Sequence, residues 1–172
     1  MQNNTISRAK LSMDKGVALN IHYGDVLIKF GDYLDIKHEI LPWIVDTAII
    51  KKYRTSFLKN GDIIFADTAE DETVGKCTEI TGITNEIVIS GLHTIPYRPQ
   101  LEFMSGYLGY YLNSNAYHYQ LFTIMQGIKV ISISKSAMKN TIISYPKYKK
   151  EQLKISNIFQ SIDNIITLHQ RI

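Results

Sequence analysis

LKNGDIIFADTAEDETVGKCTEI, residues 58–80, decides the fold class. It holds one short apolar run and one mixed run, set off by turn residues. Gly61-Asp62 opens the first, Ile63-Ile64-Phe65-Ala66, and an acid-rich stretch comes next. Gly75 then separates that stretch from the second run, residues 76–80. Glycine and aspartate supply the backbone angles of tight turns, whereas β-branched and aromatic residues fit a pleated surface. The pattern predicts strand, loop, strand. Its neighbours extend it. Residues 20–30 (NIHYGDVLIKF) read as strand broken by Gly24-Asp25, and residues 86–90 (EIVIS) as another strand. Gly91, Pro96 and Pro99 punctuate the next ten residues. Short runs at turn-bounded intervals predict a curled or barrel-like antiparallel sheet.

Beyond residue 100 the period changes. Leu101, Met104, Leu108, Tyr111 and Leu112 recur at helical spacing, and Asn113-Ser114-Asn115 forms a break. Residues 116–126 predict a second helix, with Tyr119, Phe122 and Met125 three apart, and Gly127 ends it. Residues 129–134 (KVISIS) alternate like a strand, and 141–145 (TIISY) predict another before Pro146. The class is therefore α+β.

The last segment is an amphipathic helix beginning near Glu151. Ile155, Ile158, Phe159, Ile162, Ile165 and Ile166 form its apolar stripe, with Ser156, Asn157, Gln160, Ser161 and Asn164 between them. The pattern is still helical at Ile172 and shows no C-capping glycine. We read it as a protruding helix that packs on a partner, against the alternative of a terminal helix docked on its own domain.

The chain has 172 residues, on the scale of one domain or one domain plus an appendage. Hydrophobic residues at 45% and charged residues at 20% exclude a disordered chain. One cysteine, Cys77, excludes an internal disulfide framework and a multi-thiolate zinc site. There is no apolar run of membrane-spanning length, and the first residues lack the regions of a signal peptide, so a cytoplasmic protein with no membrane partner is expected.

The net charge of +3 is unevenly placed. Residues 103–150 contain no acid but carry Lys129, Lys135, Lys139, Lys147, Lys149 and Lys150. A one-signed segment suits a polyanionic partner or a solvated lysine face.

No catalytic constellation emerges. The five histidines show no i, i+4 pair, and Walker loop, nucleophile elbow and methyltransferase motifs are absent. The cluster at 67–72 is not an EF-hand loop. Its carboxylates would repel phosphates, so Asp67 or Asp71 is expected to bond turn amides or orient Lys76 and Arg54. No cofactor or metal is implied for this chain.

Six strings, in order, carry a resemblance: NIHYGDVLIKF (20–30), LKNGDIIFADTAEDETVGKCTEI (58–80), VISGLHTIPYRP (88–99), GYLGYYLNS (106–114), QGIKVISIS (126–134) and PKYKKEQLKISNIFQSIDNIITLHQ (146–170). Together they resemble the DNA-specificity subunit of Type I restriction–modification systems. The likeness is to one target recognition domain, residues 1–147, followed by part of a conserved spacer and dimerisation helix, residues 148–172. It implies a non-catalytic subunit that reads half of a bipartite site in double-stranded DNA. Its helix would dock the modification (methyltransferase) subunits, and with them the restriction subunit. Complete members carry two such domains, so this chain corresponds to a natural half-subunit or an excised domain. A homodimer or a second recognition domain would complete it. The rival reading is a protein-interaction adaptor that keeps the fold without binding DNA.

On this reading the DNA-side candidates are Tyr23, Lys29, Lys51, Arg54, Thr68, Lys76, Arg98, Gln126 and Lys129. Arg54, Arg98 and Gln126 suit base reading, because arginine forks to guanine and glutamine to adenine. The lysines suit phosphates.

Overall fold

The computed structural model describes Met1 and residues 5–170. Among the described residues, ten short strands and six α-helices form an α+β arrangement. In chain order they are β1 (Leu11–Ser12), β2 (Ala18–Ile21), α1 (Tyr23–Ile28), β3 (Tyr33–Asp35), β4 (Trp43–Ile44) and α2 (Thr47–Tyr53). Then come β5 (Ile63–Ala66), β6 (Thr68–Ala69), β7 (Cys77–Thr81), β8 (Val88–Ser90) and β9 (Thr94–Tyr97). The last are α3 (Tyr107–Asn113), α4 (Asn115–Phe122), β10 (Ile131–Ser132), α5 (Lys135–Met138) and α6 (Lys149–Gln170).

Two four-stranded sheets, in the orders β1-β4-β2-β8 and β3-β7-β5-β9, pack on one another, and β6 pairs with β10. The stretch at 58–80 explains the layering. All four residues of β5 are buried, and alternate ones face opposite layers. Ile63 and Phe65 join Leu108, Leu112 and Leu121 of α3 and α4. Ile64 and Ala66 meet Leu19, Ile21 and Val88 of the other sheet, with Val26 and Phe30. That second sheet repeats the device, turning Ala18, Ile44 and Ile89 toward Tyr53 and Ile50 at α2. A strand buried on both faces reads as a continuous apolar run, which is why the IIFA string carries so much information.

Several sequence expectations need correction. The pairing is mixed: β2 runs parallel to β8 and β3 parallel to β7, while the other pairs are antiparallel. The sheets do not close into a barrel. Residues 20–30 are not one strand, because α1 begins at Tyr23. The His22 side chain accepts the Gly24 amide and caps the helix, and Asp25 sits in the first turn. Val26 and Phe30, four apart, then share one buried face. The helix expected from Leu101 starts only at Tyr107, because Gly106 takes φ +82° at its N-cap. A side chain at Gly106 would also strike Gln160 and Ser156 of α6. Residues 141–145 form no strand. Their backbone pairs with side chains instead: the Ile142 amide donates to Gln120 Oε1 and the Ser144 amide to Tyr111 Oη.

Polar residues lock the α3 layer to the sheet. Glu79 is 3% exposed and accepts the Gly106 and Gly109 amides at 2.7 and 3.1 Å. Burial pushes its carboxyl above the usual range, while those amides pull it back. Asn113 is a second lock. Its Oδ1 accepts the Cys77 amide, and its Nδ2 donates to the Cys77 carbonyl and to Asp32 Oδ1. Asn113→Ala should cost about 2 kcal/mol in urea unfolding, since it strands buried backbone groups. The deficit should depend on pH. Burial raises the Asp32 carboxyl and the Asn113 amide lowers it. A raised acid contributes stability at low pH that is lost as pH rises through its folded value. Without the amide that value climbs further, so the deficit should be larger at neutral pH than near the ordinary value of 3.8.

Candidate nucleic-acid interface

Four of the nine DNA-side candidates come together on one rim, built from four segments. Tyr23 opens α1. Its ring meets His93, in the turn between β8 and β9, edge-on at 5.2 Å. His93 Nδ1 lies 3.4 Å from Thr68 Oγ1 and 3.2 Å from Asp67 Oδ1. Thr68 pairs with Ser132 across β6 and β10. Ser132 exchanges backbone hydrogen bonds with Gln126 at 2.9 and 2.8 Å. These two bonds close a small loop whose tip carries Ile128, 98% exposed, beside exposed Lys129. The hairpin comes from the acid-free, lysine-bearing segment 103–150, so the topology places part of that segment against the acidic loop.

Lys51 and Arg54 are exposed on α2 and the 3-10 turn after it, next to Tyr53 in the core of the other sheet. They belong to another surface element.

Three cationic candidates already hold partners within the chain, Arg98 and Lys76 at part-buried sites and Lys29 at the surface. Arg98 forks onto Asp62, with Nε 2.8 Å from Oδ1 and a terminal nitrogen 2.7 Å from Oδ2, and also donates to the Phe57 carbonyl. Asp62 is 1% exposed, and its hydrogen bonds hold the Arg98 guanidinium firmly charged. Lys76 donates to the Leu27 carbonyl at 3.0 Å; burial lowers its ammonium and nearby Asp32 opposes that shift. It is not oriented by Asp67 or Asp71. Lys29 pairs with Glu39 at 2.8 Å and donates to the Ile40 carbonyl. Each fills a structural role that sequence cannot distinguish from a free cation.

The acidic loop has separate partners. Asp71 accepts the Thr73 amide and hydroxyl, which holds its carboxyl below the usual range. Asp67 takes Thr68 and His93. Among the described residues no three His, Cys, Asp or Glu side chains cluster to hold a metal ion. Nor is any described helix long and apolar enough to cross a membrane.

His93 is the rim residue that sequence reasoning passed over. It is the one non-glycine among the described residues with positive φ, at 54°. Nothing in a GLHT string announces that conformation. The adjacent His22 is buried, and burial, then Arg8, holds its imidazole below the ordinary range.

The second feature is α6, about 33 Å long at 1.5 Å per residue. It sits on the domain by its polar side. Gln152, 3% exposed, accepts the Met104 amide and donates to the Pro146 carbonyl. Ser156, 1% exposed, donates to the Ser105 carbonyl, and Asp163 accepts the Tyr110 hydroxyl at 2.6 Å. Burial and then Asp163 push the Tyr110 phenol well above its usual range. Spacings of four and seven put these three on one face. The apolar stripe lies to the side of that face. Ile158, Ile162, Ile165 and Ile166 are 45–59% exposed. Two stripe members differ from expectation. Ile155 is half-buried against the core, and Phe159 stacks on Tyr110 at 5.2 Å, so these two help to dock the helix.

No protein-family model and no curated protein matches the chain.

Proposed function

We propose that this chain reads duplex DNA through the rim of Tyr23, Thr68, Gln126 and Lys129 and recruits helical partners through α6. The observation that carries the reading is the rim itself. Segments separated by up to about a hundred residues are tied by ring contacts and backbone bonds into one edge with a bare, cation-bearing tip. Hydrogen-bonding side chains held on a rigid edge suit the major groove, where base edges are distinguishable. The exposed side of α6 suits a second helix. On this reading the chain is one recognition domain of the Type I specificity kind. It addresses half of a bipartite site for modification and restriction subunits, and the chemistry belongs to those subunits.

One observation favours the adaptor instead: Lys29, Lys76 and Arg98 are already paired within the chain, which thins the free cationic surface. Salt dependence separates the two. Of the candidate cations Lys129 alone lies on the rim, and it is exposed. One phosphate contact gives a log–log slope of about −0.9, hence about 3-fold weaker binding at 200 than at 50 mM salt. Fluorescence anisotropy with a labelled random-sequence duplex should show this, and Lys129→Ala should reduce the slope by about 0.9. Absence of salt-dependent binding would leave the adaptor.

A further inference from the structure

We infer that His93 is a base-reading residue of the rim, presenting Nε2 as an acceptor to an exocyclic amine, adenine N6 or cytosine N4, in the major groove. This rests on the DNA-reading proposal and assigns it a specificity-determining atom.

The hydrogen-bond pattern fixes the tautomer. Thr68 Oγ1 donates to Asp67 Oδ1 at 2.8 Å, which uses its only proton. What Thr68 and Asp67 then turn toward His93 Nδ1 are two acceptors, at 3.4 and 3.2 Å. The ring proton must therefore sit on Nδ1. In the neutral ring Nε2 carries the lone pair, and among the described residues it has no hydrogen-bond partner. The only donors that base pairs offer in the major groove are the amines of adenine and cytosine.

The ring is also held for the purpose. Tyr23 braces it edge-on at 5.2 Å, and the side chain is still 45% exposed. A histidine at φ 54° costs conformational energy that glycine would not, and such outliers concentrate at binding sites. The arrangement also explains the carboxylate on a DNA-facing edge. Asp67 does not meet the nucleic acid but orients the group that does, so it is a positioning residue.

The test is selection of bound sequences from a duplex pool with a randomised core, using the full chain and two variants. His93→Gly suits the backbone angle and should unfold no earlier than the wild type. It should keep the wild-type motif except at one base pair, where preference falls about 5- to 150-fold. Asp67→Ala should blur the same position. A duplex lacking that amine, with purine for adenine or 2-pyrimidinone for cytosine, should bind the wild type as weakly as the normal duplex binds His93→Gly. A wild-type motif retained unchanged by His93→Gly overturns this inference and leaves the DNA-reading proposal standing. A wild type that selects no motif overturns both.

Discussion

Arg98→Ala is expected to destabilise the chain by about 3 kcal/mol. A base reader on a free surface would change stability by no more than about 0.5 kcal/mol. Here the guanidinium neutralises Asp62, whose side chain is 1% exposed, through a two-bond fork. Removing it leaves a carboxylate in the core with the Lys59 amide as a remaining partner at 2.7 Å. Stranding one member of a buried ion pair costs about 3–5 kcal/mol, and the lower end applies because Arg98 is 35% exposed and partly solvated. The Phe57 carbonyl loses its donor as well. Thermal unfolding should show a drop of roughly 6–12 °C for a domain of this size. A drop below about 1 °C would mean that the fork contributes little and would return Arg98 to the candidate base readers.

Ile158→Asp with Ile162→Asp is expected to abolish association through α6 while leaving the domain folded. The two residues are 59% and 45% exposed, so they support little of the domain's own packing. Burying both in an interface contributes about 2 kcal/mol each, so their loss weakens association about 1,000-fold before any cost of burying the new charges. The polar docking contacts of Gln152, Ser156 and Asp163 lie on another face and stay intact. Sedimentation velocity of the full chain should show concentration-dependent association for the wild type and a monomer for the double variant, with the same unfolding temperature. An oligomer that survives the substitution would place the interface elsewhere.

Strand positions around residues 58–80 were legible because both faces of β5 are buried, which leaves a run of apolar residues between turns. The C-terminal helix was legible from its period. Strand direction was not: whether β2 runs parallel to β8 is set by how the chain crosses between layers, 67 residues apart at Ile21 and Val88. Nor was α1, where one capping histidine outweighs a β-branched composition. The site divides in the same way. Tyr23, Thr68, Gln126 and Lys129 could be chosen by chemistry, and tertiary structure gathers them. Arg98, Lys76 and Lys29 share that chemistry but meet Asp62, the Leu27 carbonyl and Glu39, partners as many as 49 residues away. His93 was invisible because the role inferred for it rests on a backbone angle and on two neighbours, Asp67 and Thr68, distant in sequence.

If this chain recognises a DNA sequence and performs no chemistry on it, enrichment sequencing should show both properties at once. Duplexes retained by the purified full chain from a randomised pool at moderate salt should share one short motif of a few base pairs, recovered uncut and unmodified. A retained pool with flat base composition, or one cleaved or methylated by the chain alone, would contradict the reading.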